Sequence, residues 1–350
     1  MTNRRQDPDY RRELVGPVLQ TLSRGESCAV VGVGSTGKSR LLLHLTHPET
    51  VQAYLGARAA THMILLIECN AWVSETSWAA FESMTRVFLE AVNASTHPAV
   101  VAVRSDLDGM YQAVTEERDL AFTHLQRGLR HFIERTNFNL TFCFDEFDFV
   151  FERVETQLFR NLRAIRNQNK YNLTYLLATR KQIPYQRPRS AWPEVEEFTE
   201  LFTENLYPLG PYNIRDASAM VADLEARYGY PLDAATRGHL LNITGNHPGL
   251  IGTAYRVLET LRQPAPDAPT IGGLLLGERS CNNECRKIWE SLRDEEQSIL
   301  RRMVANIRLS QADSIAFQEL VTKGLLKEAA GQGYFIFSPI FEHFVRGIAG

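Results

Sequence analysis

The sequence predicts an α/β protein on a mostly parallel sheet, followed by two smaller units rich in helix. Three observations carry that prediction. Short continuous apolar runs recur through the first 210 residues, as strands buried on both faces require. Helical patterns alternate with them. After Gly210-Pro211 the apolar spacing becomes helical and is punctuated by Gly/Pro breakers. A chain of 350 residues suits two to three domains.

Residues 11–22 have helical spacing and make an N-terminal helical segment, 1–22. Arg24-Gly25-Glu26 breaks it, and Cys28-Ala29-Val30-Val31 is the first strand. Met63–Ile67, Leu140–Phe144, Thr174–Ala178 and Asn205–Leu209 are the others, the last with the weakest pattern. Between the first two lies the helix of Lys38–Leu45. Trp78, Phe81, Met84, Phe88 and Val92 form one helical stripe, and Phe122, Leu125, Leu129, Phe132 and Ile133 another. Residues 94–110 read as a connecting loop. Leu158, Phe159, Leu162 and Ile165 mark a further helix. The sheet domain is thus expected over 23–211. Three helical patterns, Ala217–Tyr228, Ala234–Thr244 and Pro248–Leu261, make a helical lid over 212–263. The Pro/Gly-rich stretch within 264–280 reads as a linker. In 281–350, a helix over Ile288–Val304, a helix over Gln311–Thr322, a hairpin over Leu325–Phe337 and a short helix over Pro339–Val345 outline a winged helix.

Composition excludes several classes. Lys+Arg is 38 and Asp+Glu 41, a net charge of −3, so bulk charge does not hold this chain on nucleic acid or anionic lipid. No apolar run approaches the roughly 18–20 residues of a membrane span, and the charged start MTNRRQDPDYRREL is no signal peptide. Five cysteines, mostly in apolar runs, predict buried thiols in a reducing cytoplasm. Cys281 and Cys285 have no second Cys/His pair to complete a zinc site.

The chemistry lies at the strand ends. Gly32-Val33-Gly34-Ser35-Thr36-Gly37-Lys38-Ser39 fits GxxxxGK[ST] between an apolar strand and a helix. Its glycines let backbone N–H groups turn toward phosphate oxygens, and the helix N-terminus faces the same anion. Lys38 is expected at the β/γ-phosphates of ATP or ADP, and the Ser39 hydroxyl on Mg²⁺. The apolar strand Leu140–Phe144 ends in Asp145-Glu146: Asp145 is expected to hold Mg²⁺ through water, and Glu146 to polarise the attacking water as general base. Asp148 is a competing acid, read as a surface or capping residue. Thr179-Arg180, at the tip of another strand, can act on the γ-phosphate and on transition-state charge.

These residues resemble the additional-strand P-loop ATPases. With a helical lid and winged helix following, they resemble in particular the origin-recognition branch of AAA+ proteins and the STAND signal-transducing ATPases, the NB-ARC and novel-STAND groups. Ala178-Thr179-Arg180 is similar to the TTR-like sensor of NB-ARC proteins. Gly245-Asn246-His247-Pro248-Gly249-Leu250 is similar to their GxP lid motif, which implies Pro248 near the nucleotide base. Arg11, Arg12 and Glu13 stand where such families place an adenine-side motif, which implies a nucleotide contact for Arg12. Pro248 takes the place of the sensor-2 Arg of the origin-recognition branch. Phe337-Ser338-Pro339-Ile340-Phe341 stands where NB-ARC proteins carry an MHD motif, without its His-Asp pair. The resemblance implies a cytoplasmic Mg-ATP switch, slowly hydrolysing and read by a protein partner or by self-assembly. A DNA-linked AAA+ ATPase of the transposition or replication-loader type, and a non-hydrolysing nucleotide-stabilised scaffold, are the alternatives. Arg187 and Arg189 are candidates for an arginine acting in trans. From Cys281 to Gly350 nine cations meet nine anions. That neutral segment is expected to contact protein rather than duplex DNA.

Overall fold

The computed structural model describes residues 7–186, 192–261, 268–310, 313–329, 331 and 333–349. The chain divides into two compact units. The first comprises the residues up to Val31 together with Lys38–Tyr207; the second comprises Gly32–Gly37 and Pro208–Gly350.

The first unit is built on a five-stranded sheet. Its strands are β1 (Cys28–Val31), β2 (His62–Glu68), β3 (Asn139–Asp145), β4 (Leu173–Thr179) and β5 (Leu206–Pro208). Their order is β2-β3-β4-β1-β5, so β4 stands between β1 and β3. The ladders β2–β3, β3–β4 and β4–β1 are parallel. β1 and β4 are buried along their whole length, which is why they read as unbroken apolar runs. The register pairs Val31 with Thr179 and Glu68 with Asp145. The last residues of four strands therefore share one edge of the sheet.

Beneath that edge lies an aromatic core of Phe144, Phe147, Phe151, Phe159, Tyr175 and Phe198. Phe151 stacks on Phe159 with centroids 4.7 Å apart. The buried Tyr175 hydroxyl donates to the Leu162 carbonyl at 2.9 Å, which satisfies its polar end. A polar ladder runs across three strands. His62 Nε2 lies 2.9 Å from Thr141 Oγ1, which lies 2.8 Å from Thr174 Oγ1. The expected loop at 94–110 instead holds a helix over Pro98–Val103 and a 3₁₀ turn over Arg104–Leu107. Pro98 sits in the first turn, where its missing N–H costs nothing, and Val100 and Val103 are buried.

The second unit is mostly helical. Asn213 and Asp233 cap Ile214–Tyr228 and Ala234–Thr244, each side chain accepting an N–H three residues on at 2.8 Å. Helix Pro248–Leu261 follows. The segment read as a linker contains a helix, Ala268–Leu276, with Ile271 and Leu275 buried. The single helix expected over Ile288–Val304 is two, Arg279–Glu290 and Asp294–Val304. The break is a helix start: Glu296 reaches back to accept the Arg293 N–H at 2.9 Å, and Asp294, Glu295 and Glu296 load the first turn with negative charge. Ser314–Thr322, the antiparallel hairpin β6 (Leu326–Ala329) with β7 (Gly333–Ile336), and Pro339–Ala349 complete the winged-helix order.

Candidate functional site

Within the first unit, the shared strand edge gathers five charged side chains and one unpartnered hydroxyl. β3 ends in the buried Asp145. Glu146 follows in the left-handed region (φ 54°), unusual for a residue with a Cβ. This turns the chain at once into helix Phe147–Arg153, and the Glu146 N–H donates to Asp145 Oδ1 at 2.9 Å. Strained backbone of this kind concentrates at functional sites. β4 ends in Thr179, fully buried, whose hydroxyl has no hydrogen-bond partner among the described residues. Such a group costs stability unless something else meets it.

Arg180 projects from the end of β4, its Nη2 3.9 Å from Glu146 Oε1. Its backbone N–H donates to both carboxylate oxygens of Asp148, at 2.9 and 3.0 Å. Asp148 is half-buried rather than a surface residue, and burial raises its carboxyl above the ordinary value against the pull of these donors and of Lys38. Lys38 opens helix Lys38–Thr46 and is 8% exposed. Burial lowers its ammonium to about 8; Asp148, Asp145 and Glu146 oppose the shift and Arg180 adds to it. Lys38, Asp145, Glu146, Asp148 and Arg180 therefore act on one another. Ser39, next in the chain, is exposed.

The loop Gly32–Gly37 directly follows β1 and packs with the second unit. Ser35 (φ 58°) and Gly37 (φ 93°) take the left-handed conformations that fold it back on itself. Thr36 Oγ1 donates to the Val33 carbonyl at 2.9 Å. Gly32 and Gly34 are needed for close approach. A Cβ on Gly32 would stand 2.6 Å from the Leu209 carbonyl oxygen, and one on Gly34 2.8 Å from that of Lys287. The loop backbone is held from three sides. The Gly34 N–H donates to Ser291 Oγ at 2.8 Å. His247 Nε2 lies 3.1 Å from the Gly34 carbonyl. The Gly249 N–H donates to the Ser35 carbonyl at 3.2 Å. Burial works to raise the Glu284 carboxyl, but hydrogen bonds from the Ser35 hydroxyl and Lys287 outweigh it and hold it below its ordinary value.

Of the remaining predicted residues, Pro248 is buried and opens its helix one residue after His247. Arg12 is 72% exposed and pairs with Asp9 at 3.9 Å; nothing joins it to Lys38, Asp145 or Glu146. Its neighbour Arg11 is the buried one, in a left-handed conformation at the helix start. Arg187 and Arg189 lie outside the described residues. All five cysteines are buried and free, and burial pushes the Cys281 thiol up to about 11. Among the described residues no group of three or more His, Cys, Asp or Glu could hold a metal, and no helix is long and apolar enough to cross a membrane. Sequence reasoning missed Glu284 and Ser291, and quoted His247 only as part of the lid motif. Their contacts with Gly34 and Ser35 span more than 200 residues, so no local spacing marks them.

No family model matches the chain, and no curated protein does. Solved structures do. The Walker-type ATPase PABY2304 of Pyrococcus abyssi is 12% identical, with 99% of this chain and 97% of that one covered and a TM-score of 0.55. The ORC2 protein of Aeropyrum pernix in its ADP form is 12% identical, with 100% and 97% covered and a TM-score of 0.50. At this identity the likeness is one of fold: an α/β P-loop ATPase fold with helical units after the sheet.

Proposed function

We propose that this chain binds Mg-ATP, hydrolyses it, and uses the cycle as a conformational switch. The observation that carries the reading is the strand edge. Within the first unit, the buried Lys38 that opens its helix, the left-handed Asp-Glu turn after β3 and a buried unpartnered threonine hydroxyl at the end of β4 are gathered there. The loop amides and Lys38 bind the β/γ-phosphates. The Ser39 hydroxyl and the Asp145 carboxylate are the hard oxygen donors that suit Mg²⁺. When bound, the ion supplies charge stabilisation at the β- and γ-phosphate oxygens. Glu146 takes a proton from water as that water's oxygen attacks the γ-phosphorus. The bond to the bridging oxygen breaks, and ADP leaves with the electron pair. Thr179 orients the water or γ-phosphate by hydrogen bonding, and Arg180 offsets the developing negative charge. Pro248, beside the loop-contacting His247, is assigned to the base; the exposed Arg12 carries the weaker case.

The switch reading makes the partner a protein, as in STAND ATPases. The second reading, a DNA-linked ATPase of the origin-recognition branch, is favoured by the likeness to the ORC2 protein. Charge weighs against a winged helix that reads duplex DNA. At least four of its nine cations are engaged internally: Lys323 with Glu296 at 2.5 Å, Arg293 with Glu319, Arg302 with Asp313 at 2.7 Å, and Arg346 with Glu342 at 2.5 Å. Phosphate contacts supply most non-specific affinity, and these side chains would have to leave their partners to make them. Steady-state ATPase assays with and without duplex DNA decide the matter. Turnover independent of DNA supports the switch. Stimulation together with sub-micromolar, salt-dependent binding of the full chain moves the second reading ahead. No ATP binding at all refutes both.

A further inference from the structure

Asp148 is the acid that the reaction above leaves without a task. It lies in the first turn of helix Phe147–Arg153, two residues after Glu146. The β3–β4 ladder runs out at Phe144 and Leu177, so the N–H groups beyond the end of β4 have no strand to bond. The Asp148 carboxylate takes their place. It accepts the Arg180 N–H with both oxygens, at 2.9 and 3.0 Å, and also the Lys181 N–H. One side chain from the Asp-Glu turn thus pins the tip of the neighbouring strand, directly after Thr179.

We propose that Asp148 is a positioning residue for ATP turnover: by fixing the Arg180 backbone it sets the Thr179 hydroxyl and the Arg180 guanidinium in place for the γ-phosphate. This rests on the ATPase reading above. The Thr179 hydroxyl has no hydrogen-bond partner among the described residues, so its direction follows the backbone, which β1 pairs at Thr179 and Asp148 holds from Arg180 on. Arg180 Nη2 reaches to 3.9 Å from Glu146 Oε1, so the same anchor sets the spacing between the proposed base and the proposed cation. Asp148 is also the strongest of the charges acting on Lys38, ahead of Arg180, Asp145 and Glu146.

The role separates from that of a second base by the choice of variant. In Asp148→Asn the side-chain carbonyl still accepts the Arg180 N–H, while the proton-accepting charge is gone. In Asp148→Ala both are lost. Misplacing groups at a reacting centre by about an ångström costs up to about 100-fold. The experiment measures kcat and ATP affinity for both variants, with amide hydrogen exchange at Arg180 and Lys181 in the nucleotide-free protein. Asp148→Ala is expected to lose about 10- to 100-fold in kcat. Its ATP dissociation constant should not rise, and exchange at the two amides should quicken. Asp148→Asn is expected to recover most of the rate and the protection. A wild-type kcat in Asp148→Ala overturns the proposal, as does equal loss in both variants or a loss confined to affinity. Wild-type protein that does not hydrolyse ATP refutes the ATPase reading and this role with it. An active wild type beside an equally active Asp148→Ala refutes the role alone.

Discussion

Replacing Lys38 by methionine should push stability and nucleotide binding in opposite directions. Lys38 is 8% exposed, and burial holds its ammonium at about 8 rather than 10.5. Keeping that charge inside the nucleotide-free fold at neutral pH therefore costs about 3 kcal/mol relative to the unfolded chain. Methionine matches the length of the lysine stem and has no charge to desolvate, so Lys38→Met removes this cost. It also removes a cation that, with Arg180, offsets repulsion among Asp145, Glu146 and Asp148, which returns part of the gain. The expected net is a nucleotide-free protein about 1–2 kcal/mol more stable. Binding moves the other way. A charge-assisted hydrogen bond contributes about 1.5–3 kcal/mol, so ATP affinity should fall about ten- to a hundredfold. Denaturant unfolding without nucleotide measures the first quantity and titration calorimetry with ATP the second. A less stable variant would refute the burial argument; undiminished ATP affinity would refute the phosphate assignment.

Glu146→Gln should retain ATP binding and lose about 10²–10⁴ in turnover, since the amide keeps shape and reach but accepts no proton; an unchanged single-turnover rate would remove Glu146 from the role of base. Thr179→Val keeps the volume of a fully buried side chain and deletes a hydroxyl with no partner among the described residues. Stability in denaturant should hold or rise while turnover drops, and a destabilised, fully active variant would contradict the sensor assignment. His62 is held neutral by burial, and Arg58 adds to the effect; the ring is lowered from 6.5 to about 4. The unfolded chain takes up that proton first, so the contribution is whole above about 6.5 and is lost as pH falls toward 4. It amounts to about 3 kcal/mol. A pH series of unfolding free energies should show that decline, and His62→Gln should flatten it.

The parallel sheet was legible because strands buried on both faces leave an unmistakable trace. β1, β3 and β4 read as apolar runs and lie within a residue or two of their expected ends. Helix junctions were less legible. Ser291-Leu292-Arg293 interrupts what apolar spacing alone presents as one helix, and the signal that marks the restart is the acidic triplet Asp294-Glu295-Glu296, a capping pattern rather than a hydrophobic one. Pro98 was likewise a start signal inside a stretch read as loop. At the site, local motifs gave Lys38, Asp145 and Glu146 because their neighbours in sequence define their chemistry. Asp148 needed the fold, since its partners are N–H groups just past the end of β4, about thirty residues away. Ser291 and His247 needed it more, because a serine or histidine that bonds loop backbone has no spacing to betray it.

The case for a working site at the strand edge rests on where ordinary folding rules are broken. Within the sheet itself, buried hydroxyls of the strands are met: Tyr175 by the Leu162 carbonyl, Thr141 by His62 and Thr174. At the ends of β3 and β4 three departures coincide. A lysine is buried against its own solvation, a glutamate sits in left-handed backbone, and a threonine hydroxyl is sealed without a partner among the described residues. Each costs free energy, and none adds to packing. Departures of three different kinds gathered at one edge mark that edge as shaped for something other than stability. The departures also agree in kind. A desolvated cation, a free hydroxyl and a carboxylate aimed out of a sharp turn are what a phosphate, its leaving charge and an attacking water require.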